Sequence, residues 1–212
     1  MEAEAAMTDL LVFARGPGLR WSLTIMVFGM CWRLGRVIAG GRERDLYWVR
    51  KAFHVPNARW QLDSYAMHAG LFTAIFGFSG HIVVIRELTG FSWPALPTAI
   101  VLFAGAVTAA AMVAVIAHRI LSQEPSAFSA FDDYLSWTLV FAAVLTGMTA
   151  YPHVGGGAMM APYRALLTAH LVCVELLMAW LPFGKLGHVA LMPIGRAAIR
   201  LASLARYASR RA

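Results

Sequence analysis

Long apolar blocks alternate with short polar or basic connections along the whole chain, and five of the blocks are long enough to cross a bilayer. A hydrocarbon core takes about 20 residues of apolar helix. The blocks run from Gly18 to Ala39, Ser64 to Ile85, Leu96 to Ala117, Phe131 to Tyr151 and Tyr163 to Phe183. The first is the weakest, with an uninterrupted apolar stretch only from Trp21 to Trp32 and with Arg33 and Arg36 left to snorkel at one end. Pro182 bends or ends the fifth. Asp132 and Asp133 open the fourth, where they cap a helix N-terminus. Trp21, Trp32, Trp93, Trp137 and Trp180 fall near the ends of the blocks, as an aromatic belt requires. The pattern predicts an all-α membrane bundle of five transmembrane helices over residues 1–192, followed by a basic amphipathic tail over 193–212.

Composition agrees with that pattern. Of 212 residues, 59% are hydrophobic and 14% charged, against about 25% charged in soluble domains. The first ten residues carry Glu2, Glu4 and Asp9 without a basic cluster, so they do not read as a cleaved signal peptide. Cys31 and Cys173 lie far apart and form no CxxC, which leaves no thiolate set for an iron–sulfur cluster or a structural zinc.

The net charge of +7 records topology rather than nucleic-acid binding. Lys and Arg number seven over the inner end of the first span and the connection after it, one after the third and six after the fifth, fourteen on one side. The other side has Arg15, Arg20, Arg86 and Arg164. The positive-inside rule then places the N-terminus outside and the C-terminus in the cytoplasm. Such a chain belongs in the inner (cytoplasmic) membrane of a bacterial or archaeal cell. The tail from Ile194 to Ala212 gathers its arginines on one arc of a helix, a face suited to anionic lipid or to a protein partner. Gly155, Gly156 and Gly157 form a flexible outer loop without phosphate-binding context.

Histidine is where chemistry enters. His54, His118 and His153 fall in connections or at span ends, but His68, His81, His170 and His188 lie in or at the end of two spans, the second and the fifth. A polar ring inside a bilayer is costly and marks function. The two spans are antiparallel, so His68 faces His188 and His81 faces His170 if they are neighbours. His170 and His188 are 18 residues apart, a whole number of turns at 3.6 residues each, and share one helix face. His68 and His81 are 13 apart, about 140° apart around a straight helix, with Gly70, Gly77 and Gly80 between or beside them to permit deformation. Facing neutral imidazoles suit the axial positions of b-type haem, and the lack of CxxCH excludes covalent attachment. The alternative is four hydrogen-bonded core histidines in a haem-free anchor.

Several motifs carry a family likeness. The segments FARGPGLRWS (Phe13 to Ser22), GHIVVIREL (Gly80 to Leu88), SWPALP (Ser92 to Pro97), DDYL (Asp132 to Leu135) and HLVCVELLMAWLPFGKLGH (His170 to His188) resemble the gamma subunit of respiratory nitrate reductase. That dihaem b cytochrome has relatives in sulfite-reductase-associated, heterodisulfide-reductase-like and hydrogenase-linked complexes. The resemblance covers about Leu11 to Leu191. It implies an outer haem on His81 and His170 and an inner haem on His68 and His188. The family sets its span-two histidines closer together than the 13 residues found here, which makes a single haem the alternative.

The resemblance further implies an electron-transfer subunit rather than a complete enzyme, with no catalytic residue of its own. It would exchange electrons between membrane quinone and an iron–sulfur-containing partner on the cytoplasmic side, docked on the basic connection from Arg42 to Arg59 and the tail. Quinone would react near the outer haem, by Gly80, His81, Arg86, Glu87 and Tyr163. Arg86 and Arg164 outside, and Arg33, Arg36 and Lys185 inside, are candidates for haem propionates or are snorkelling cations. Glu175 in the fifth span would relay a proton or bond a neighbour.

Overall fold

A computed structural model describes residues 2–38, 58–121, 131–151 and 160–188. All the regular structure among them is helical: α1 (Glu2–Phe13), a five-residue π-helix (Ala14–Gly18), α2 (Leu19–Ile38), α3 (Ala58–Gly77), α4 (Ser79–Thr89), α5 (Thr98–Leu121), α6 (Phe131–Ala150), α7 (Met160–Trp180) and a 3₁₀ turn (Lys185–Gly187). The basic connection over 39–57, the loops containing His153 and the glycine run, and the C-terminal tail lie outside the described residues.

Helix boundaries follow the apolar blocks, with two differences: a helix, α1, and the π-helix precede the first block, where none was expected, and α3 begins at Ala58, six residues before the second block. The second block is also broken. α3 stops at Gly77, Phe78 is extended (φ −79°, ψ 129°), and α4 leaves at 65° to the preceding helix. By length and apolar content, Thr98–His118 and Tyr163–Trp180 can each cross a membrane, and Leu62–Gly77 with Ser79–Thr89 can do so as one bent span. The protein is therefore a helical membrane protein, with two or three such spans among the described residues. α2 and α6 have 20 residues each, but Arg20, Arg33 and Arg36 in one and Asp132 and Asp133 in the other dilute their apolar content.

The break has its own local chemistry. A bend frees carbonyls of the last helical turn, and a freed carbonyl at bilayer depth needs a partner from the protein itself. Two are supplied. Phe76 O accepts from Trp93 Nε1 at 2.6 Å, and Gly77 O from the Leu96 amide at 2.9 Å. Ala74 O keeps its helical partner, the Phe78 amide at 3.3 Å, and also accepts from the Nδ1 of His81 at 2.8 Å. The segment linking α4 to α5 therefore stitches the end of α3. It can turn back because Gly90, in the left-handed region at φ 81°, ends α4 and returns its amide to Arg86 O.

Packing runs around a ring. α3 lies against α5, α5 against α6, α6 against α7, and α7 also against α1 and α2. Small side chains make the close approaches, as membrane bundles require in the absence of a hydrophobic drive between helices. A Cβ on Gly70 of α3 would stand 2.6 Å from Ala104 O of α5. Thr108, one of the most buried side chains, sits at the same contact and turns its hydroxyl back to Ala104 O. Neither α3 nor α4, which carry His68 and His81, is closely packed on α7, which carries His170 and precedes His188.

Candidate functional site: two facing histidine pairs

Two pairs of imidazoles bridge the space between the α3–α4 arm and α7. The ring centroids of His81 and His170 are 6.0 Å apart with planes 28° from parallel. Those of His68 and His188 are 6.1 Å apart with planes crossed at 73°. All four rings are half-buried.

The break explains how the 13-residue spacing produces two pairs facing the same helix. On a straight helix His81 could not reach back seven residues, since that carbonyl would lie about 10 Å below it at 1.5 Å per residue. The extended Phe78 folds α4 over, so the His81 ring reaches Ala74 O and turns towards His170. Phe78 itself packs edge-on to His81 (5.3 Å) and to Tyr151 (5.5 Å) and walls the pair on one side.

Each ring is held through the same atom. Nδ1 of His68 is 2.7 Å from Ser64 O, that of His81 2.8 Å from Ala74 O, that of His170 2.9 Å from Ala143 O, and that of His188 2.9 Å from Lys185 O. A carbonyl only accepts, so each Nδ1 carries the proton and each Nε2 keeps its lone pair. For His188, beyond the end of α7, burial lowers the pKa below the ordinary value. The bond to Lys185 O opposes that shift, while His68 and the Arg33 guanidinium add to it.

The remaining predicted residues distribute unevenly. Arg33 donates from Nη1 to Pro182 O (3.1 Å) and Gly184 O (2.5 Å), closing the C-terminal end of α7 beside His188. Lys185 forms an ion pair with Asp133 (2.6 Å). Asp132 accepts from Ser136, Trp180 and the Lys185 amide, so it ties α6 to the end of α7 as well as opening α6. Arg36, Arg86, Glu87 and Gly80 are exposed, and Tyr163 and Arg164 half-buried. Oε1 of Glu175 is buried without a hydrogen-bond partner, with its carboxylate against Gly18 of the π-helix. Trp21 and Trp32 face outward, Trp137 and Trp180 donate their N–H groups within the bundle, and Trp93 donates to Phe76 O at its exposed edge.

Ala143 and Gly147, as the seat of His170, were not singled out in the sequence, nor was Phe78. A glycine one turn after the accepting alanine is a signal only once the facing helix is known.

Among the described residues no three His, Cys, Asp or Glu side chains come together to hold a metal ion. Two opposed nitrogens are a different donor set. Metal–imidazole bonds of about 2.0 Å and a five-membered ring whose centre lies about 1.1 Å behind the donor atom place the two centroids about 6.3 Å apart when one metal sits between them. The centroid separations of the two pairs, 6.0 and 6.1 Å, are close to that length.

No protein-family model matches the chain, and no solved structure matches it significantly. It is similar to a protein of Nitratidesulfovibrio vulgaris (strain Hildenborough) whose name states no function: 28% identical over 201 residues, which cover 89% of this chain and 85% of that one.

Proposed function

We propose that the protein is a five-span membrane b-type cytochrome of the nitrate reductase gamma-like kind, in which His81 with His170 and His68 with His188 would hold two haems. The observation that carries this reading is the common presentation of four imidazoles, each with Nδ1 bonded to a backbone carbonyl and in two pairs spaced for a metal between them. A four-histidine core with no metal gives no reason for four imidazoles to be gathered in two pairs, each ring bonded to a carbonyl through Nδ1 with Nε2 left without a proton. Haem b, when bound, supplies reversible one-electron transfer.

The chain's own part is to hold, orient and insulate. The backbone carbonyls fix each tautomer and raise the basicity of the opposite nitrogen, as second-shell partners do for metal-bound histidine generally. The α3–α4 arm packs on α5, and α7 on α6, α1 and α2, so the two histidine-bearing elements are held by neighbours other than each other. Two redox groups at two levels of a membrane bundle serve to carry electrons between lipid-dissolved quinone and a protein partner. That partner is an iron–sulfur subunit in the cytoplasm, since this chain holds no cluster ligands and its positive charge lies on that side. Quinone would react at the His81–His170 end, by Arg86, Glu87 and Tyr163, and at the other end Arg36, with whatever donors Arg33 has beyond its bonds to Pro182 O and Gly184 O, would be available to the propionates of the inner haem.

The reading is tested by the visible spectrum of the purified full-length chain from haem-replete cells. Sharp reduced-minus-oxidised bands of bis-histidine haem b support it. A colourless chain identifies a haem-free anchor instead.

A further inference from the structure

The two pairs differ in one respect that their similar spacing conceals. The His81 and His170 planes are 28° apart, and the His68 and His188 planes are crossed at 73°. The first pair is seated on helix carbonyls, Ala74 O and Ala143 O. The second includes His188, which follows the end of α7 and is seated on a turn.

That turn is fastened from two other helices. The Lys185 amide donates to Asp132 Oδ2 at 2.8 Å, and Lys185 Nζ to Asp133 Oδ2 at 2.6 Å. Asp132 Oδ1 receives Trp180 Nε1 (3.0 Å) and Ser136 Oγ (3.1 Å), which fixes the carboxylate plane. From α2, Arg33 Nη1 bonds Gly184 O, and the Gly187 amide closes the turn on the same carbonyl at 3.3 Å. The Lys185 carbonyl, whose amide Asp132 holds, is the one that accepts the His188 Nδ1 proton at 2.9 Å. The direction of the His188 ring is thus set two bonds away, on α6.

We propose that Asp132, acting through Lys185, is a positioning residue that holds His188 crossed against His68 and so makes the two haem sites electronically unlike. The inference rests on the haem reading above. Axial imidazole planes that are near-parallel raise one of the two metal orbitals available for π overlap more than the other. Crossed planes raise both alike. A low-spin ferric ion between near-parallel rings gives a rhombic paramagnetic signal, and one between crossed rings gives a strongly anisotropic signal with its main feature at low field.

Low-temperature electron paramagnetic resonance of the oxidised full-length protein tests this. Wild type is expected to show one signal of each kind. His188→Ala removes the low-field feature and leaves the rhombic one. Asp132→Ala moves or abolishes the low-field feature alone, with a shift in the midpoint potential of that site only. Asp132→Asn keeps one acceptor oxygen for three donors and produces a smaller shift in the same direction. It decides the matter if the alanine variant loses haem from that end altogether. Two rhombic signals in wild type, or a low-field feature unmoved in Asp132→Asn with both haems present, overturns the assignment while leaving the cytochrome intact. A wild type with no low-spin signal overturns the haem reading itself.

Discussion

The imidazole of His170 rests on Gly147: a Cβ at that glycine would stand 2.9 Å from the ring's Cε1 and 3.0 Å from its Nδ1. Gly147 lies one turn beyond Ala143, whose carbonyl holds the same ring. The missing side chain is what lets a ring from α7 reach the backbone of α6. Gly147→Val is expected to displace His170, to cost about 1–3 kcal/mol through overpacking, and to halve the haem content. Gly147→Ala does less of each. Haem per chain and thermal unfolding of the variants check this, and a valine variant with full haem content and wild-type stability contradicts it.

The histidines are expected to fail in pairs. Replacing His68 or His188 with alanine removes the same spectral component, and replacing His81 or His170 removes the other, because each haem loses an axial bond from either side. Low-temperature difference spectra of the four single variants give the comparison. Loss grouped by helix, with His68 and His81 alike, rules out this pairing.

Trp93 carries a structural prediction that is independent of any cofactor. Its indole N–H satisfies Phe76 O at the break between α3 and α4. Trp93→Phe leaves that carbonyl unpaired and is expected to destabilise the protein by about 1–3 kcal/mol. Trp32→Phe, on an outward-facing side chain, is expected to stay within about 0.5 kcal/mol. Denaturant or thermal unfolding in detergent distinguishes the two. Equal effects would show that the stitch contributes nothing.

Much of this was legible in the sequence, because membrane helices are written in length and apolarity. The ends of α2, α5 and α6 fall within a few residues of the apolar blocks, and Pro182 does follow the end of α7. The facing pairs followed from antiparallel connection once the second and fifth spans were taken as neighbours. What the sequence concealed was the way His68 and His81, badly placed on one straight helix, come to face the same neighbour. A periodic reading treats Ser64 to Ile85 as one rod, and nothing in Gly77–Phe78–Ser79 announces a 65° bend as opposed to a flexible glycine. The bend is fixed from elsewhere, by Trp93 and Leu96. Asp132 was similarly half-visible: its cap position is a local signal, but its hold on Lys185 joins residues 53 apart.

Orientation is a further expectation. With the N-terminus outside and the C-terminus in the cytoplasm, reporters fused after residue 125 and residue 212 face the cytoplasm, and one fused after residue 155 faces out. Alkaline phosphatase is expected to be active only in the last of these, and a fluorescent protein only in the first two. The reverse pattern, or activity of both reporters on one side throughout, is incompatible with five spans in this sense.

Pyridine haemochrome quantitation on the purified full-length chain bears most directly on the four histidines. The expected value is two haems b per chain. A value of one keeps a cytochrome but removes one pair, and a value of zero in haem-replete preparations contradicts the account.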